Sequence, residues 1–386
     1  MDFLFFVHII ALIFSFFVCG AMLGAAFSKP FRTKVAELLH LEHLLLNKSY
    51  NNPILRPGTN PWTAEAVLNP AAIVLNGRTH LIYRAIGMDG VSRLGYASSP
   101  DGIIFDKRST HPAFVARNPR HLSTHLRRYS PTMYPSGGSW GGCEDPRMVL
   151  IDGRIYVTFN MFDGWDYIRV AAISIAEDDF IAERFGAWSG PYILSMPGQV
   201  QKNWVLFPEK INGKFAILHS IAPKIEIAYR DSIESIGTSE PLIESWVGAR
   251  GDLPERKDVW DSRIRSAGPP PVKTDRGWLL FYHANSADEP SRYKLGAMLL
   301  DLDDPTKILY RSSAPILSPD EHYENEGKPG IVYACGACVH DEILFVYYGG
   351  ADKVVCVATT PLNIFLDALI SGSQPTLTTV LPTQTT

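Results

Sequence analysis

Met148-Val149-Leu150-Ile151-Asp152-Gly153, continuing as Arg154-Ile155-Tyr156-Val157-Thr158-Phe159, is the most informative stretch of the chain, because it predicts two apolar strands joined by a tight turn. Asp-Gly is a strong hairpin signal, since a type I′ turn requires positive φ at both central residues. Four other segments repeat this order of strand, polar turn and second strand. They lie at residues 71–84, 210–219, 271–283 and 337–348.

The repeated hairpins predict the architecture of the domain. Most copies continue into a third strand of small and apolar residues, at residues 94–98, 170–175, 225–229, 295–300 and 354–359. The turns recur roughly every 60 to 76 positions, a period that suits four-stranded propeller blades. Five copies therefore predict an all-β fold, a five-bladed β-propeller. The alternative is a generic β-sandwich, in which one hairpin seldom recurs at a single period.

Composition is typical of a globular protein that does not bind nucleic acid. Hydrophobic residues make up 46% of the 386 positions and charged residues 20%, while Gly 30 and Pro 28 indicate many turns. A formal net charge of -4 gives none of the basic excess that nucleic-acid binders carry.

Residues 3–27 form an almost uninterrupted apolar run that is long enough to cross a bilayer as a helix. Asp2 precedes the run and three basic residues follow it, whereas a cleaved signal peptide, the alternative, has a basic segment before its apolar core. By the positive-inside rule the basic flank stays in the cytoplasm. We therefore expect a single-pass membrane protein whose body is cytoplasmic.

The chain divides into four predicted segments. Residues 1–28 are the anchor, and residues 29–50 form an amphipathic linker helix, because Val35, Leu38 and Leu41 recur three apart. Residues 51–370 form the five-bladed propeller, and residues 371–386, rich in Thr, Gln and Pro, are a disordered tail. Cys335 and Cys338 have no second ligand pair at a suitable spacing, so they predict no metal site.

The innermost strand of each propeller blade lines the central channel, so the residues just before each first strand should meet at one opening. These residues are Asn69-Pro70, Glu144-Asp145-Pro146-Arg147, Phe207-Pro208-Glu209-Lys210, Gly268-Pro269-Pro270 and Cys335-Gly336-Ala337-Cys338. Two of the five groups combine carboxylates with cations, which is a composition typical of an active site.

The order of several motifs resembles glycoside hydrolase family 130 from about Asn52 to the end of the fifth blade. The motifs include Glu144-Asp145-Pro146-Arg147, Ser92-Arg93-Leu94-Gly95-Tyr96-Ala97-Ser98, Leu206-Phe207-Pro208-Glu209-Lys210 and Tyr347-Tyr348-Gly349-Gly350-Ala351-Asp352. Each motif is weakly specific alone, but their order along the chain is highly specific.

The resemblance implies a five-bladed propeller that acts on β-mannosides in manno-oligosaccharides. Most members are inverting phosphorylases that release mannose 1-phosphate, and a minority are β-1,2-mannosidases. It also implies that Asp145 supplies the proton, through a sugar hydroxyl, and that Asn69, Arg84 and Asp352 line the sugar site. No metal or other cofactor is implied, and inorganic phosphate would be a co-substrate.

Residue chemistry leaves phosphorolysis and hydrolysis both open. Cleavage by phosphate needs a cluster of cations, whereas inversion by water needs a second carboxylate roughly 6.5 to 9.5 Å from the acid. The candidate cations are Arg147, Lys210, His219, Arg265 and His283, the last four being assigned to phosphate. The candidate bases are Glu209, Asp261 and Glu324, with Glu209 assigned as the catalytic one. Candidate sugar contacts are Glu144, Arg147, Asp261 and Tyr282, and candidate aromatic platforms are Trp165, Tyr167 and Tyr282.

Two departures from the family pattern bear on this choice. Ser220 stands after His219 where resembling phosphorylases usually carry Arg, and residues 260–268 differ from the usual Lys-Ile-Gly-Ala-Gly version. Arg265 is positioned in sequence to restore the missing charge. Three hypotheses follow: a β-mannoside phosphorylase, which is preferred; an inverting β-mannosidase; and an inactive glycan-binding propeller.

Overall fold

The computed structural model describes residues 46–116, 128–134, 136–165, 167–245 and 259–372. The predicted anchor, nearly all of the linker helix and the tail from residue 373 lie outside these ranges. No helix within the ranges is both long and apolar enough to cross a membrane.

The strands fall into five antiparallel units that follow one another along the chain. Unit 1 contains β2 (Ala66–Leu75), β3 (Arg78–Ile86), β4 (Val91–Ser99) and β5 (Lys107–Arg108); unit 2 contains β6 (Gly141–Ile151), β7 (Arg154–Phe162), β8 (Ile168–Ala176) and β9 (Ser189–Ile193). Unit 3 contains β10 (Val205–Leu206), β11 (Phe215–Ser220) and β12 (Glu226–Arg230). Unit 4 contains β13 (Arg263–Ala267), β14 (Val272–Thr274), β15 (Gly277–Asn285), β16 (Lys294–Leu300) and β17 (Ile308–Arg311). Unit 5 contains β18 (Val332–His340), β19 (Ile343–Gly350), β20 (Val354–Pro361) and, from the start of the described chain, β1 (Asn47–Lys48).

The prediction of a mostly β fold is confirmed, and the turn of each predicted hairpin is present, although the first strand of unit 3 is Val205–Leu206 and not residues 210–213. Asn76, Asp152 and Asn212 have φ of 49°, 50° and 54°, and the glycine after each also has positive φ, as a type I′ turn requires. The predicted third strands are β4, β8, β12, β16 and β20. Units 1 and 2 also join through a short parallel pairing of Val91 and Ser92 with Gly141 and Gly142.

Five hydrophobic clusters connect the units in a closed cycle. One cluster lies between units 1 and 2, and further clusters follow between units 2 and 3, units 3 and 4, and units 4 and 5. The fifth cluster joins unit 5 back to unit 1, where Phe345 and Tyr347 pack with Leu81 and Tyr83. Each unit therefore packs between two neighbours.

Burial on both faces explains why the strands are apolar at successive positions. In β7, Ile155 and Val157 belong to the cluster shared with unit 1, whereas Tyr156 between them belongs to the cluster shared with unit 3. Side chains alternate between the faces of a strand, so a strand covered on both sides needs apolar residues at odd and even positions.

The start of the described chain differs from the predicted linker helix. Leu46 is buried in the cluster between units 4 and 5, and Asn47–Lys48 pair with Ala358 and Thr359 of β20. The helix prediction is therefore wrong for residues 47–48, because their backbone completes the edge of unit 5. The two α-helices described are α1 (Glu177–Ile181) and α2 (Leu362–Gly372), with 3-10 turns at Pro61–Thr63, Phe185–Ala187 and His322–Glu324.

The first strands of the units run side by side in the interior, where β2 contacts both β6 and β18. We call the end at which these first strands begin the entrance end. The opposite, far end carries the hairpin turns at Asn76, Asp152 and Asn212. These two ends decide which predicted residues can meet.

Candidate active site

The first strands share an irregularity close to the entrance end. Pairing of β2 with β3 skips from Leu68 to Ala71, and pairing of β6 with β7 skips from Glu144 to Arg147. β13 and β18 also carry register shifts, at Ile264/Ser266 and Ala334/Gly336. A bulge re-aims the side chains of its extra residues. In unit 1 these residues are Asn69-Pro70, and in unit 2 they are Asp145-Pro146.

Asp145 lies in this bulge with φ of 51° and is buried. Asn69 Nδ2 donates a hydrogen bond to Asp145 Oδ1 at 2.7 Å, and Arg84 Nη1 donates to the same oxygen at 3.1 Å. Burial by itself raises the pKa of this carboxyl, but the positive charges of Arg84, Lys202 and Arg147 outweigh it and lower the pKa to about 2. Asp145 is therefore ionised at neutral pH in the free protein.

Arg84 is a fully buried cation that connects Asp145 to the second carboxylate of the site. Its Nη2 donates to Glu144 Oε1 at 2.9 Å and to the Ser136 carbonyl at 2.7 Å, while Nε donates to Ser92 Oγ at 2.9 Å. Burial opposes the charge on Arg84, but Glu144 and Asp145 raise its pKa. The guanidinium is thus held in one orientation by charge and by hydrogen bonds.

Glu144 has no exposed surface and is surrounded by donors. Lys202 Nζ lies 2.7 Å from Glu144 Oε2, and Ser136 Oγ donates to the same oxygen at 2.8 Å. The Glu144 carboxylate is therefore not free to make the predicted sugar contact in this structure. Its carboxylate instead orients Arg84 from unit 1 and Lys202 from the segment before β10.

Arg147 continues the network toward the other units. Its Nη1 donates to the backbone carbonyl of Asp145 at 2.6 Å and to Asn203 Oδ1 at 3.0 Å, and its Nε donates to the Gly268 carbonyl at 3.2 Å. Its Nη2 is buried and has no hydrogen-bond partner in the part of the chain that the structure describes. Asn203 Nδ2 donates to the hydroxyl of Tyr333 at 2.8 Å, which brings unit 5 into the site.

His283 lies beneath this network but does not provide the positive charge predicted for it. Its ring stacks on Tyr333 with centroids 3.9 Å apart, and its Nε2 accepts a hydrogen bond from the Ala334 amide at 2.9 Å. Burial and the neighbouring charge of Arg147 lower the pKa of His283 to about 3. The ring is therefore neutral, and with Nε2 accepting, its proton is on Nδ1, facing Ser266 Oγ.

Two predicted residues lie at the edge of the site. Arg265 is the extra residue of the β13 bulge and is exposed, with its guanidinium carbon 5.7 Å from the ring centroid of Tyr293. Asp352 has φ of 53° in the turn after β19, pairs with Lys328 at 3.4 Å and contributes to the raised pKa of Arg84. Both residues lie at the entrance end.

Glu209 and Lys210 are not at the site, so their assignment as base and phosphate ligand is wrong for this structure. β10 is only Val205–Leu206, and it pairs with Leu218 and Ile217, so residues 207–210 lie toward the far end. Lys210 Nζ pairs with Asp152 in a far-end turn at 2.8 Å. Glu209 pairs with Lys273 at 2.6 Å on the surface.

Asp261 and Tyr282 form a separate buried cluster with Arg311. The hydroxyl of Tyr282 donates to Asp261 Oδ2 at 2.8 Å, and Arg311 forms a close ion pair with the same carboxylate. The ring of Tyr282 lies against Gly296 and belongs to the cluster between units 3 and 4. The structure therefore does not bring Asp261 and Tyr282 to the polar centre, because their side chains contact Arg311 and pack between units 3 and 4.

Two further candidates also have other partners. His219 Nδ1 is 3.0 Å from Ser245 Oγ and its ring packs on Trp204, while burial lowers its pKa, which does not fit a phosphate-binding cation. Glu324 is fully buried, with Lys48 Nζ 2.7 Å away and the hydroxyl of Tyr348 donating to it at 2.8 Å. Glu324 is thus a structural carboxylate of unit 5 and not a base.

Lys202, Asn203 and Tyr333 belong to the site although the sequence interpretation did not select them. Asn203 has φ of 65°, the left-handed conformation that Asn69 and Asp145 also adopt in their bulges. Gln201-Lys202-Asn203 stands directly before an apolar strand, as Asn69 and Asp145 do. That position in the repeat was the signal that could have identified them.

All five units therefore contribute to one polar centre at the entrance end. It combines two adjacent carboxylates, Glu144 and Asp145, that face several cations, a buried guanidinium with an unused donor, and a neutral histidine beneath an aromatic ring. Such a centre can bind an anion and polarise a bond beside it. Proton transfer would require Asp145 first to gain a proton.

Comparison with known proteins gives a consistent result. The sequence profile of a family described as β-1,4-mannooligosaccharide phosphorylase matches residues 45–370. The 1,2-β-oligomannan phosphorylase of Thermoanaerobacter sp. (strain X514) is 39% identical over 325 residues, which cover 81% of this chain and 96% of the relative. The β-1,2-mannobiose phosphorylase of the same strain is 33% identical over 328 residues, which again cover 81% of this chain and 96% of the relative.

Solved structures share the fold. A glycosyl hydrolase from Bacteroides ovatus superposes with a TM-score of 0.64 at 24% identity, covering 82% of this chain and 94% of that one. The β-1,2-mannobiose phosphorylase from Listeria innocua, in complex with β-1,2-mannobiose, gives 0.62 at 23% identity, covering 84% and 99%. At these identities the likeness concerns the fold.

Proposed function

The chain belongs to glycoside hydrolase family 130 and is an enzyme of the β-mannoside-cleaving type, and we propose that it cleaves β-1,2-linked manno-oligosaccharides by inverting phosphorolysis. The products would be mannose 1-phosphate and a chain shortened by one sugar. The β-1,2 linkage is supported by two relatives, 39% and 33% identical over 96% of their own lengths, that are named for oligomannan and mannobiose with this linkage.

Inverting phosphorolysis needs two groups from the protein. A phosphate oxygen attacks C1 of the mannosyl unit on the face opposite the bridging oxygen, and the bond from C1 to that oxygen breaks as the new bond forms. The departing oxygen must receive a proton. The site therefore needs an oxyanion cradle and one proton donor, without a second carboxylate to activate water.

The observation that carries the proposal is the unused donor on Arg147. Its Nη2 is buried without a partner among the described residues, beside Asn203 and the Asp145 carbonyl. A buried donor without an acceptor is costly, by about 1 to 3 kcal/mol. An arginine donates readily to phosphate, so a phosphate oxygen would remove that cost. Lys202 and Arg265 supply further positive charge at the same end.

The three carboxylates predicted as candidate bases, and Glu144 beside the proposed acid, have other partners, which argues against hydrolysis with one of them as the base. Glu209 is on the surface, and Asp261 and Glu324 are bound to Arg311 and Lys48. Glu144 is bound to Arg84 and Lys202. Within the described ranges, none of these four carboxylates is left with the open position that a catalytic base requires.

Asp145 is proposed to become the proton donor only after phosphate binds. The positive charges that lower its pKa to about 2 include Lys202 and Arg147, the groups nearest the proposed phosphate position. A bound phosphate would offset those charges and raise the pKa of Asp145, so the carboxyl would take up a proton. Transfer through a hydroxyl of the bound sugar, as the family resemblance implies, would then reach the departing oxygen.

The architecture that we propose for residues 46–372 is the predicted five-bladed β-propeller. The five antiparallel units and their closed cycle of hydrophobic clusters support it. We also retain the proposal that residues 3–27 anchor the enzyme in a membrane with its body in the cytoplasm and that no cofactor is required. Digestion of the body by protease added outside intact cells would contradict the cytoplasmic placement.

Phosphate-saturation kinetics of the full-length chain test the function. With β-1,2-mannobiose, cleavage should be absent without phosphate and should saturate as phosphate is added. Lys202→Met should raise the KM for phosphate, and Asp145→Asn should lower kcat by about 10² to 10⁴. Full cleavage without phosphate would show that the enzyme is a hydrolase instead. Turnover that is unaffected by Asp145→Asn would show that Asp145 is not the acid.

A further inference from the structure

The turn between β7 and β8 carries two features that the proposed reaction does not use. Asp163 and Trp165 lie in this turn, just after Phe162 ends β7. Because Phe162 pairs with Gly142, and Asn160 with Glu144, the turn is at the entrance end, close to the acid-bearing bulge. Residue 166 lies outside the described residues.

Trp165 is an exposed aromatic ring in a fixed position. It is 45% exposed, yet its ring packs edge-on against buried Phe162 with centroids 5.6 Å apart. Lys202 Nζ lies 5.3 Å from the Trp165 centroid. Lys202 is itself held at 2.7 Å by Glu144, the residue before the proposed acid. The ring is thus linked to the reaction centre by a short series of contacts.

Asp163 adds an independent sign of a ligand. The residue is only 6% exposed, and its Oδ2 has no hydrogen-bond partner among the described residues. A buried carboxylate oxygen without a donor is rare in proteins. Sugar hydroxyls are donors, and carbohydrate sites combine such acceptors with aromatic rings that cover the apolar face of the pyranose.

We propose that Asp163 and Trp165 form the subsite for the leaving sugar, which is the acceptor when the reaction runs in reverse. This inference rests on the proposed function for its direction of reaction. The leaving sugar stacks on Trp165, and one of its hydroxyls donates to Asp163. Lys202 contacts both parts of this arrangement. Its ammonium lies against the ring of Trp165, and it also belongs to the cation cluster beside Asp145.

Reverse synthesis separates this subsite from the rest of the active site. The full-length enzyme is supplied with mannose 1-phosphate as donor and mannose as acceptor, and the KM of each is measured. Trp165→Leu keeps an apolar contact with Phe162 but loses the flat ring, so we expect the acceptor KM to rise about tenfold while the donor KM changes less than twofold. Trp165→Phe retains a ring and should stay within about threefold of the wild type.

Asp163→Asn tests the second contact, and two surface variants serve as controls. The asparagine keeps the shape but loses the charge, so the acceptor KM should rise severalfold at constant donor KM. Tyr50→Ala and Asp341→Asn remove a fully exposed aromatic ring and a solvated carboxylate and should change neither constant. Melting temperatures identify any variant that has lost its fold.

Three outcomes overturn the subsite. They are an unchanged acceptor KM in Trp165→Leu, equal effects of Leu and Phe, and an equal rise of both KM values. If the wild type instead hydrolyses mannobiose without phosphate, the proposed function fails, but the KM for mannobiose in the same variants still decides whether the platform exists.

Discussion

At the scale of single residues, the site depends on how buried charges are paired. Asp145 and Glu144 are adjacent in sequence and both buried, but Glu144 is bound to two cations, whereas Asp145 accepts hydrogen bonds only on Oδ1 among the described contacts. Neighbouring carboxylates thus have different surroundings, which fits the roles that we propose for them: Glu144 in positioning and Asp145 as the proton donor.

Glu144→Gln should impair turnover without removing the acid. The amide fills the same space but no longer attracts Arg84 and Lys202, so both cations lose their fixed positions relative to Asp145. We expect kcat/KM to fall by about 10- to 100-fold, the loss of one hydrogen bond to a charged group. Steady-state kinetics with varied phosphate measure this, with Asp341→Asn as control. Wild-type kinetics in Glu144→Gln would show that the carboxylate has no positioning role.

His283 should make the protein less stable in mild acid. Its pKa is about 3 in the folded state against an ordinary value of 6.5, so between these pH values the unfolded chain binds a proton that the folded chain does not. The free energy of unfolding should therefore fall as pH decreases from about 6.5 toward 3. Urea titrations at pH 7 and pH 5 measure it.

His283→Gln provides the comparison for this pH effect. The glutamine does not titrate, so the variant should lose less stability than the wild type between the two pH values. An equal loss in both proteins would mean that His283 does not contribute to the acid sensitivity.

At the scale of strands, the bulges convert regular hairpins into a binding site. Asn69 and Asp145 occupy equivalent bulges, and their side chains meet at 2.7 Å across the boundary of units 1 and 2. Gly349 of β19 allows this meeting, since a Cβ there would be 2.1 Å from Asn69 Oδ1. The backbone of unit 5 thus forms the wall behind the Asn69 side chain.

Gly349→Ala should displace Asn69 and remove its hydrogen bond to Asp145. We expect kcat to fall about tenfold and the free energy of unfolding to fall by about 1 to 3 kcal/mol, as overpacked sites do. Kinetics and urea unfolding test the two effects. Gly186→Ala is the matched control, because a Cβ at Gly186 meets no atom within 4 Å. A variant that behaves like this control would contradict the close approach.

The strands also show how far sequence alone could predict the site. Apolar periodicity and turn residues predict the turns of all five hairpins and four of the five first strands, and they show that Asn69-Pro70 and Asp145-Pro146 are equivalent. The first strand of unit 3 is predicted at the wrong residues, because the strand that forms, β10, pairs through only two residues, Val205 and Leu206. Local composition made Glu209-Lys210 resemble an active-site pair, but pairing register, which depends on a distant strand, places Lys202-Asn203 at the entrance end instead.

The sequence alone also could not predict which side chains are protonated or which residues they contact. Tyr282 and His283 are neighbours on β15, yet they face opposite sides of the sheet, one toward Asp261 and Arg311 and the other toward Tyr333. Their different roles follow from packing between units and not from residue type.

At the scale of the whole molecule, the start of the described chain closes the fifth unit. β1 pairs with β20, and Lys48 of β1 forms a largely buried ion pair with Glu324. The described chain therefore begins at the outer edge of unit 5, away from the first strands that carry the candidate site. A membrane anchor at residues 3–27 would therefore join the body at this edge.

Lys48→Met should destabilise the domain by leaving Glu324 buried without its cation. Because Lys48 is partly exposed, we expect the free energy of unfolding to fall by about 2 kcal/mol, which is less than the loss for breaking a fully buried ion pair. Adding Glu324→Gln should recover part of that loss, since the unpaired charge is then gone. Urea unfolding of both variants measures this, and purely additive losses would show that the pair does not stabilise the closure.

The most direct test of the account is a phosphorus NMR time course of the full-length enzyme with equimolar β-1,2-mannobiose and inorganic phosphate. We expect the phosphate signal to decrease while the signal of α-mannose 1-phosphate grows, with one molecule formed for each mannose released. Accumulation of mannose with a constant phosphate signal would contradict phosphorolysis, and formation of the β-anomer would contradict inversion.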